Sequence, residues 1–258
     1  MNGLHVDTHI HADGMSEDEL RYMVSNGIKR AITCAFYPVE PKYQQTFIDL
    51  FRRMIDFDVP QAKKVGLALH VAVGIHPRSI PQTNYEMVIE SMNSLIEHNL
   101  VVAFGETGLQ TGSTKEIEVL RAQIEQAKEH DFPIIVHTPG DSKLEITEKT
   151  LLLINKTRIN PELVIIDHVN AESISIVDTS GYNIGLSVQY NMLTPERASE
   201  LVIQYSDNND IVLNSDNGFR KCDIASVAKT IDSLGALEVE KSLLERVSYK
   251  NADKIFKL

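Results

Sequence analysis

The 258 residues carry 43% hydrophobic and 24% charged side chains with no biased tract, so a large core can form without staples and disorder is excluded. The formal net charge is −11, which weighs against tight general binding of nucleic acid through a basic face. Two cysteines, Cys34 and Cys222, lie far apart without CxxC or zinc-ribbon spacing, which argues against a disulfide framework and fits a reducing cytoplasm.

The chain enters the strand-like segment Leu4–His11 almost at once, with no basic n-region or apolar h-region, so no signal peptide is expected. A capping-box spacing at Ser16 and Glu19 then opens a helix. Further on, strands are expected at Arg30–Phe36, Leu67–His76, Val101–Leu109, Pro133–Thr138, Leu163–Val169, Tyr182–Gln189 and Asp210–Asp216. Each is a nearly continuous apolar run, as in strands buried on both faces of a parallel sheet. Between them, helices are expected at Tyr43–Phe57, Tyr85–Asn99, Glu116–His130, Leu144–Lys156, Ala171–Asp178, Pro195–Tyr205 and Ala225–Leu234. Ser113 with Glu116 repeats the capping-box spacing, and Thr194-Pro195 reads as an N-cap followed by proline at the first helical position. One or two short helices follow in Glu238–Leu258. The longest apolar runs, such as Leu163–Ile166, are too short to cross a bilayer.

Eight strand–helix units without a composition break predict one α/β domain over residues 1–258, a closed (β/α)₈ TIM barrel. An open doubly wound sheet is the alternative. It is disfavoured because no glycine-rich phosphate turn follows the first strand.

Active sites of such barrels lie where the strands end. The first strand ends in Asp7-Thr8-His9-Ile10-His11, and a period of two puts Asp7, His9 and His11 on one side. Glu106 ends the fourth strand, His137 the fifth, His168 the sixth and Asp216 the eighth. Taken singly, each has an ordinary reading as a cap or turn residue. Five strand ends together concentrate charge at a buried axis, which is costly unless a cation compensates. Four imidazoles and two carboxylates offer six ligands, enough for two divalent ions: zinc first, with manganese, magnesium, iron or nickel as alternatives. One carboxylate must accept the proton of attacking water, and Asp216 is the choice. His76 and Arg78, after the third strand, are candidate substrate contacts, and Lys143 is a weaker one. His98 and His130 read as helix C-terminal residues, and Cys34 as a small buried residue.

The ordered set Asp7-x-His9-x-His11, Gly74-Ile75-His76-Pro77, Gly105-Glu106-Thr107-Gly108-Leu109, Pro133…His137, His168, Ser215-Asp216 and Asn251-Ala252…Ile255-Phe256 resembles the TatD-related branch of the amidohydrolase-like metal-dependent hydrolases. The resemblance implies a TIM barrel with a binuclear site. His9, His11, Glu106 and Asp216 would hold one ion, and Glu106, as bridge, with His137 and His168 the other. Glu106 would replace the carbamylated lysine of urease-type sites, since no lysine ends the fourth strand. The chain departs from the better-known TatD nucleases in two places. Gln110 stands where they tend to carry aspartate, and His168-Val169-Asn170 where they favour a His-Cys-Phe-like run.

The implied reaction is hydrolysis of a phosphodiester, with nucleic-acid ends as substrate. Hydrolysis of a small ester, amide or phosphate is the alternative, including a PHP-type phosphoesterase, whose opening motif also reads Asp-x-His-x-His. A non-catalytic metal-binding scaffold would be expected to have lost a ligand or the base, and none is lost. No membrane partner is expected, and the sequence leaves oligomeric state open.

Overall fold

A computed structural model describes residues 4–258. The strands are β1 (His5–Ile10), β2 (Ile28–Cys34), β3 (Ala68–Val73), β4 (Val101–Gly108), β5 (Ile134–His137), β6 (Val164–Ile166), β7 (Asn183–Ser187) and β8 (Ile211–Asn214). They pair in parallel in the order of the chain. The ring closes where β8 ends: the N–H of Asp216 donates to the carbonyl of His9 at 3.0 Å, and that of His11 to Asn217 at 2.6 Å. Thr8 Oγ1 adds a bond to the carbonyl of Leu213 at 3.0 Å. The expected TIM barrel is therefore present.

The helices are α1 (Glu17–Ser25), α2 (Gln45–Arg53), α3 (Val59–Lys64), α4 (Tyr85–Leu95), α5 (Thr114–Glu129), α6 (Lys143–Thr157), α7 (Ile174–Asp178), α8 (Pro195–Tyr205), α9 (Ser226–Ala236), α10 (Lys241–Glu245) and α11 (Asn251–Phe256). Ser16 and Glu19 form the expected reciprocal capping box. The second one forms only in half. Ser113 accepts from the N–H of Glu116, but the Glu116 carboxylate turns away to the N–H groups of Gln110, Thr111 and Gly112 at 2.8–2.9 Å. Three backbone donors in a tight loop outbid the single donor at the cap.

The helix expected to stop at Phe57 instead runs on into α3. A widened turn, Met54–Asp58, joins α2 to α3, with the N–H of Val59 reaching back to Met54. Such a turn accommodates Pro60, which has no N–H and whose ring would strike the preceding turn of a regular helix. Among the described residues no helix is long and apolar enough to cross a membrane.

Two apolar layers result. Leu69, Val71 and Val73 of β3, and Ile211 and Leu213 of β8, face the helices. Residues of opposite parity, such as Ala72, Ile135, Ile165 and Val212, form an inner cluster that also includes Val6, Ile32 and Val102. Ala252, Ile255 and Phe256 of α11 belong to this inner cluster. Asn251 Nδ2 donates to the carbonyl of Ile211 at 2.9 Å, Arg30 pairs with Asp253 and Lys254 with Asp210. All three partners lie where strands begin, so α11 plugs the barrel at that end.

Candidate metal centre

At the opposite end the strands deliver polar groups. The inward parity of Ile135 carries on to His137. Glu106 lies 2% exposed on β4, between the two groups of imidazoles. Its Oε1 is 2.8 Å from His137 Nδ1, 2.8 Å from His168 Nε2 and 3.8 Å from His76 Nε2. Its Oε2 is 3.5 Å from His9 Nε2 and 4.0 Å from His11 Nε2. Asp216 Oδ1 closes the second group, 3.2 Å from His11 Nε2 and 3.9 Å from His9 Nε2. The structure thus brings all six expected ligands, from five strand ends, into one cluster, with one oxygen of Glu106 facing each group.

Hydrogen bonds fix which nitrogen of each ring is free. The carbonyl of Cys34 accepts from His11 Nδ1 at 3.0 Å, and the Asp167 carboxylate from His9 Nδ1 at 2.7 Å. Nδ1 therefore carries a proton in each ring, and with one proton per ring the two Nε2 lone pairs face each other at 3.3 Å. Two lone pairs so placed repel unless a positive charge lies between them. His137 repeats the pattern. Its Nε2 donates to Gln110 Oε1 at 3.2 Å, which leaves Nδ1 towards Glu106. His168 Nδ1 is held by Ser187 Oγ at 2.7 Å. These donor sets fit divalent cations, each ring oriented by a second partner.

His76 differs. Its Nδ1 accepts the N–H of Arg78 at 3.0 Å, so its proton sits on Nε2, aimed at Glu106. Burial holds this imidazole well below its ordinary pKa, against the pull of Glu106, so the ring is neutral. His76 is therefore built to donate a hydrogen bond, in keeping with the substrate contact expected from the sequence. Arg78 lies on the wall of the same cavity, as does Lys143 in its adjoining part.

The carboxylates are charged. Burial alone would raise the pKa of Glu106, but His9 and His137 outweigh it and hold the group well below its usual range. Asp216 is likewise lowered, burial being overcome by the bond to His11 and the imidazoles of His168, His9 and His11. Cys34, behind His11, has its thiol pushed up to about 11 by burial, so the contribution shown here is its backbone carbonyl.

Several residues escaped the sequence reading. Asp167 orients His9 and also accepts from the N–H of His168 at 2.9 Å and from Asn214 Nδ2 at 2.7 Å. A Cβ on Gly185 would lie 2.3 Å from Asp167 Oδ1, so glycine makes room for this carboxylate. Gln110, read as a departure from the nuclease pattern, is the partner of His137. Asp167 had a visible signal, a carboxylate at a strand end, whereas Gln110 and Ser187 had none. Lys143, expected as a weak substrate contact, is buried and donates to His168 O and Thr138 Oγ1 at 2.5 and 2.6 Å, joining the ends of β5 and β6.

The chain matches known proteins over nearly its full length. The TatD-related DNase family model matches residues 6–257. An uncharacterized metal-dependent hydrolase of Methanocaldococcus jannaschii is 35% identical over 98% of this chain and 100% of its own. The crystal structure of a TatD-like protein from Archaeoglobus fulgidus is 36% identical, covers 98% of this chain and 100% of its own, and superposes with a TM-score of 0.85. The phosphotriesterase homology protein of Escherichia coli, at 14% identity, 99% coverage of both chains and a TM-score of 0.69, shares the fold. This chain belongs to the TatD-related DNase family.

Proposed function

We propose that the protein is a divalent-metal-dependent hydrolase with a binuclear centre that cleaves phosphodiesters. The observation that carries this reading is Glu106, whose two oxygens address two separate groups of imidazoles. A carboxylate so placed would let each oxygen serve one group of ligands. His9, His11 and Asp216 would hold one ion with Glu106, and His137 and His168 the other. When bound, such ions activate water near neutral pH and polarise the bond to be cut.

The protein's own groups supply the rest. Asp216 is ionised and accepts a proton from the attacking water at a carboxylate oxygen. His76 Nε2–H donates to an oxygen of the substrate, and Arg78 offsets its charge. Family membership and the name of the M. jannaschii relative support hydrolysis. Hydrolysis of a small ester or amide is the second reading, favoured by the limited space beside the centre.

Metal analysis together with a panel of chromogenic phosphodiesters, phosphomonoesters and lactones, plus single-stranded DNA, tests the proposal. About two ions per chain and turnover of phosphodiesters are expected. A chain that stays free of metal under replete conditions, or that spares every phosphodiester, overturns it.

A further inference from the structure

Beside the metal centre lies a second cavity of about 320 Å³. Arg78, Lys143, Arg220 and Lys221 line it, and the carboxylate on its wall, Asp216, belongs to the centre itself. In a chain of net charge −11, this concentration of cations creates a local positive field that attracts anions. The four cations are not equivalent. Lys143 is committed to Thr138 and His168. Arg220 is 3.9 Å from Asp216 Oδ2 with a largely exposed side chain, and Lys221 is exposed and forms no ion pair among the described residues. Arg78, which also lines the space at the metal ligands, is placed at the scissile group under the proposed function, so Arg220 and Lys221 remain with donors for a second group.

The cavity is a built one. Gln189 Nε2 donates to the carbonyl of Ser215 at 2.9 Å, while its Oε1 accepts the N–H groups of Tyr190 and Asp223. This clasp joins the loop after β7 to the loop that carries Asp216, Arg220 and Lys221. At the base of the latter loop, a Cβ on Gly218 would lie 2.5 Å from that of His11, so the loop packs directly on a ligand. Tyr190 and Met192 stand exposed on its wall. Walls on both sides and this volume suit one small molecule, whereas a polymer needs an open groove that tracks successive phosphates.

We propose that the substrate is a small ester bearing a second anionic group, phosphate or carboxylate, which Arg220 and Lys221 bind while the scissile group lies at the metals. The proposal rests on the hydrolase reading for the position of the scissile group.

A binding experiment tests it without catalysis. Calorimetry on the metal-loaded protein compares propylphosphonate with 3-phosphonopropionate, which replaces the terminal methyl by a carboxylate. The carboxylate should tighten binding about tenfold, as one charge-assisted pair is expected to give. In Arg220→Ala/Lys221→Ala the two ligands should bind equally, whereas Arg220→Lys/Lys221→Arg should keep the preference. Equal affinity in the unaltered protein, or a preference that survives the alanine pair, overturns the proposal. A 3′-phosphorylated oligothymidylate that displaces 3-phosphonopropionate, and loses affinity in the alanine pair, would give the subsite to nucleic-acid ends and overturn the assignment to small esters. If every ester of the panel proves inert but the preference holds, the hydrolase reading fails and the anion subsite stands.

Discussion

The two ends of the barrel are made on opposite principles. Where the strands begin, α11 inserts Ala252, Ile255 and Phe256 against inward aliphatic side chains, and burial is favourable throughout. Where the strands end, four expected imidazole ligands and two carboxylates, with His76 beside them, lie buried or half-buried within a few ångströms of one another. Desolvating that many polar groups opposes folding, and their mutual bonds offset only part of it. One end stabilises the fold, and the other draws on that stability to hold chemistry that would not assemble alone.

The comparison breaks most readily at Glu106. Glu106→Ala should lower kcat/KM for a cleaved ester by about 10⁴-fold, or ~5 kcal/mol, and empty both groups of bound metal. The metal-free variant should melt no lower than the metal-free parent, since a buried carboxylate is removed. A large drop in its melting temperature would mean that this end also stabilises the fold. Phe256→Ala is the mirror experiment. It should cost about 3–5 kcal/mol in denaturant unfolding while the folded fraction keeps kcat within about twofold. Loss of turnover without loss of stability would refute the division between the ends.

Smaller effects sharpen it. Asp167→Asn and Gln110→Ala should each weaken metal affinity by about 10–100-fold through misoriented imidazoles, read by competition with a chromophoric chelator. Wild-type affinity in either variant would remove that residue from the orienting set.

The smallest effect, taken per pH unit, concerns Asp7, between the two ends. Burial pushes its carboxyl up to about 7, against bonds from Ser215 and His9. The folded state thus holds a proton that the unfolded chain has released. This contribution is full below the unfolded pKa near 3.8 and is lost as pH rises through about 7. In metal-free protein, Asp7→Asn should flatten this component, worth at most ~1.4 kcal/mol per pH unit. Parallel stability profiles for parent and variant would show that Asp7 is not protonated in the fold.

The barrel was legible because its strands are buried on both faces and so read as apolar runs, and because ligands interrupt those runs where they end. His9, His11, Glu106, His137, His168 and Asp216 are visible as polar residues in apolar company. Their orienting partners are not. Asp167 reaches His9 across 158 positions of sequence, and Gln110 meets His137 only because Glu116 gathers the loop between them. Such pairs depend on register around the ring, which local periodicity does not encode. The passage of the chain through Pro60 was hidden for a related reason: the widened turn that permits it leaves no composition signature.

Two residues of the cluster, His168 and Asp216, have φ of +56° and +49°, a backbone region that costs an ordinary residue about 1–2 kcal/mol. Glycine would relax either position. Directed evolution for heat resistance alone would be drawn to these two sites, because the fold gains where the centre loses. Durability and turnover compete here within single residues, so any screen for a hardier form of this protein must select for both at once.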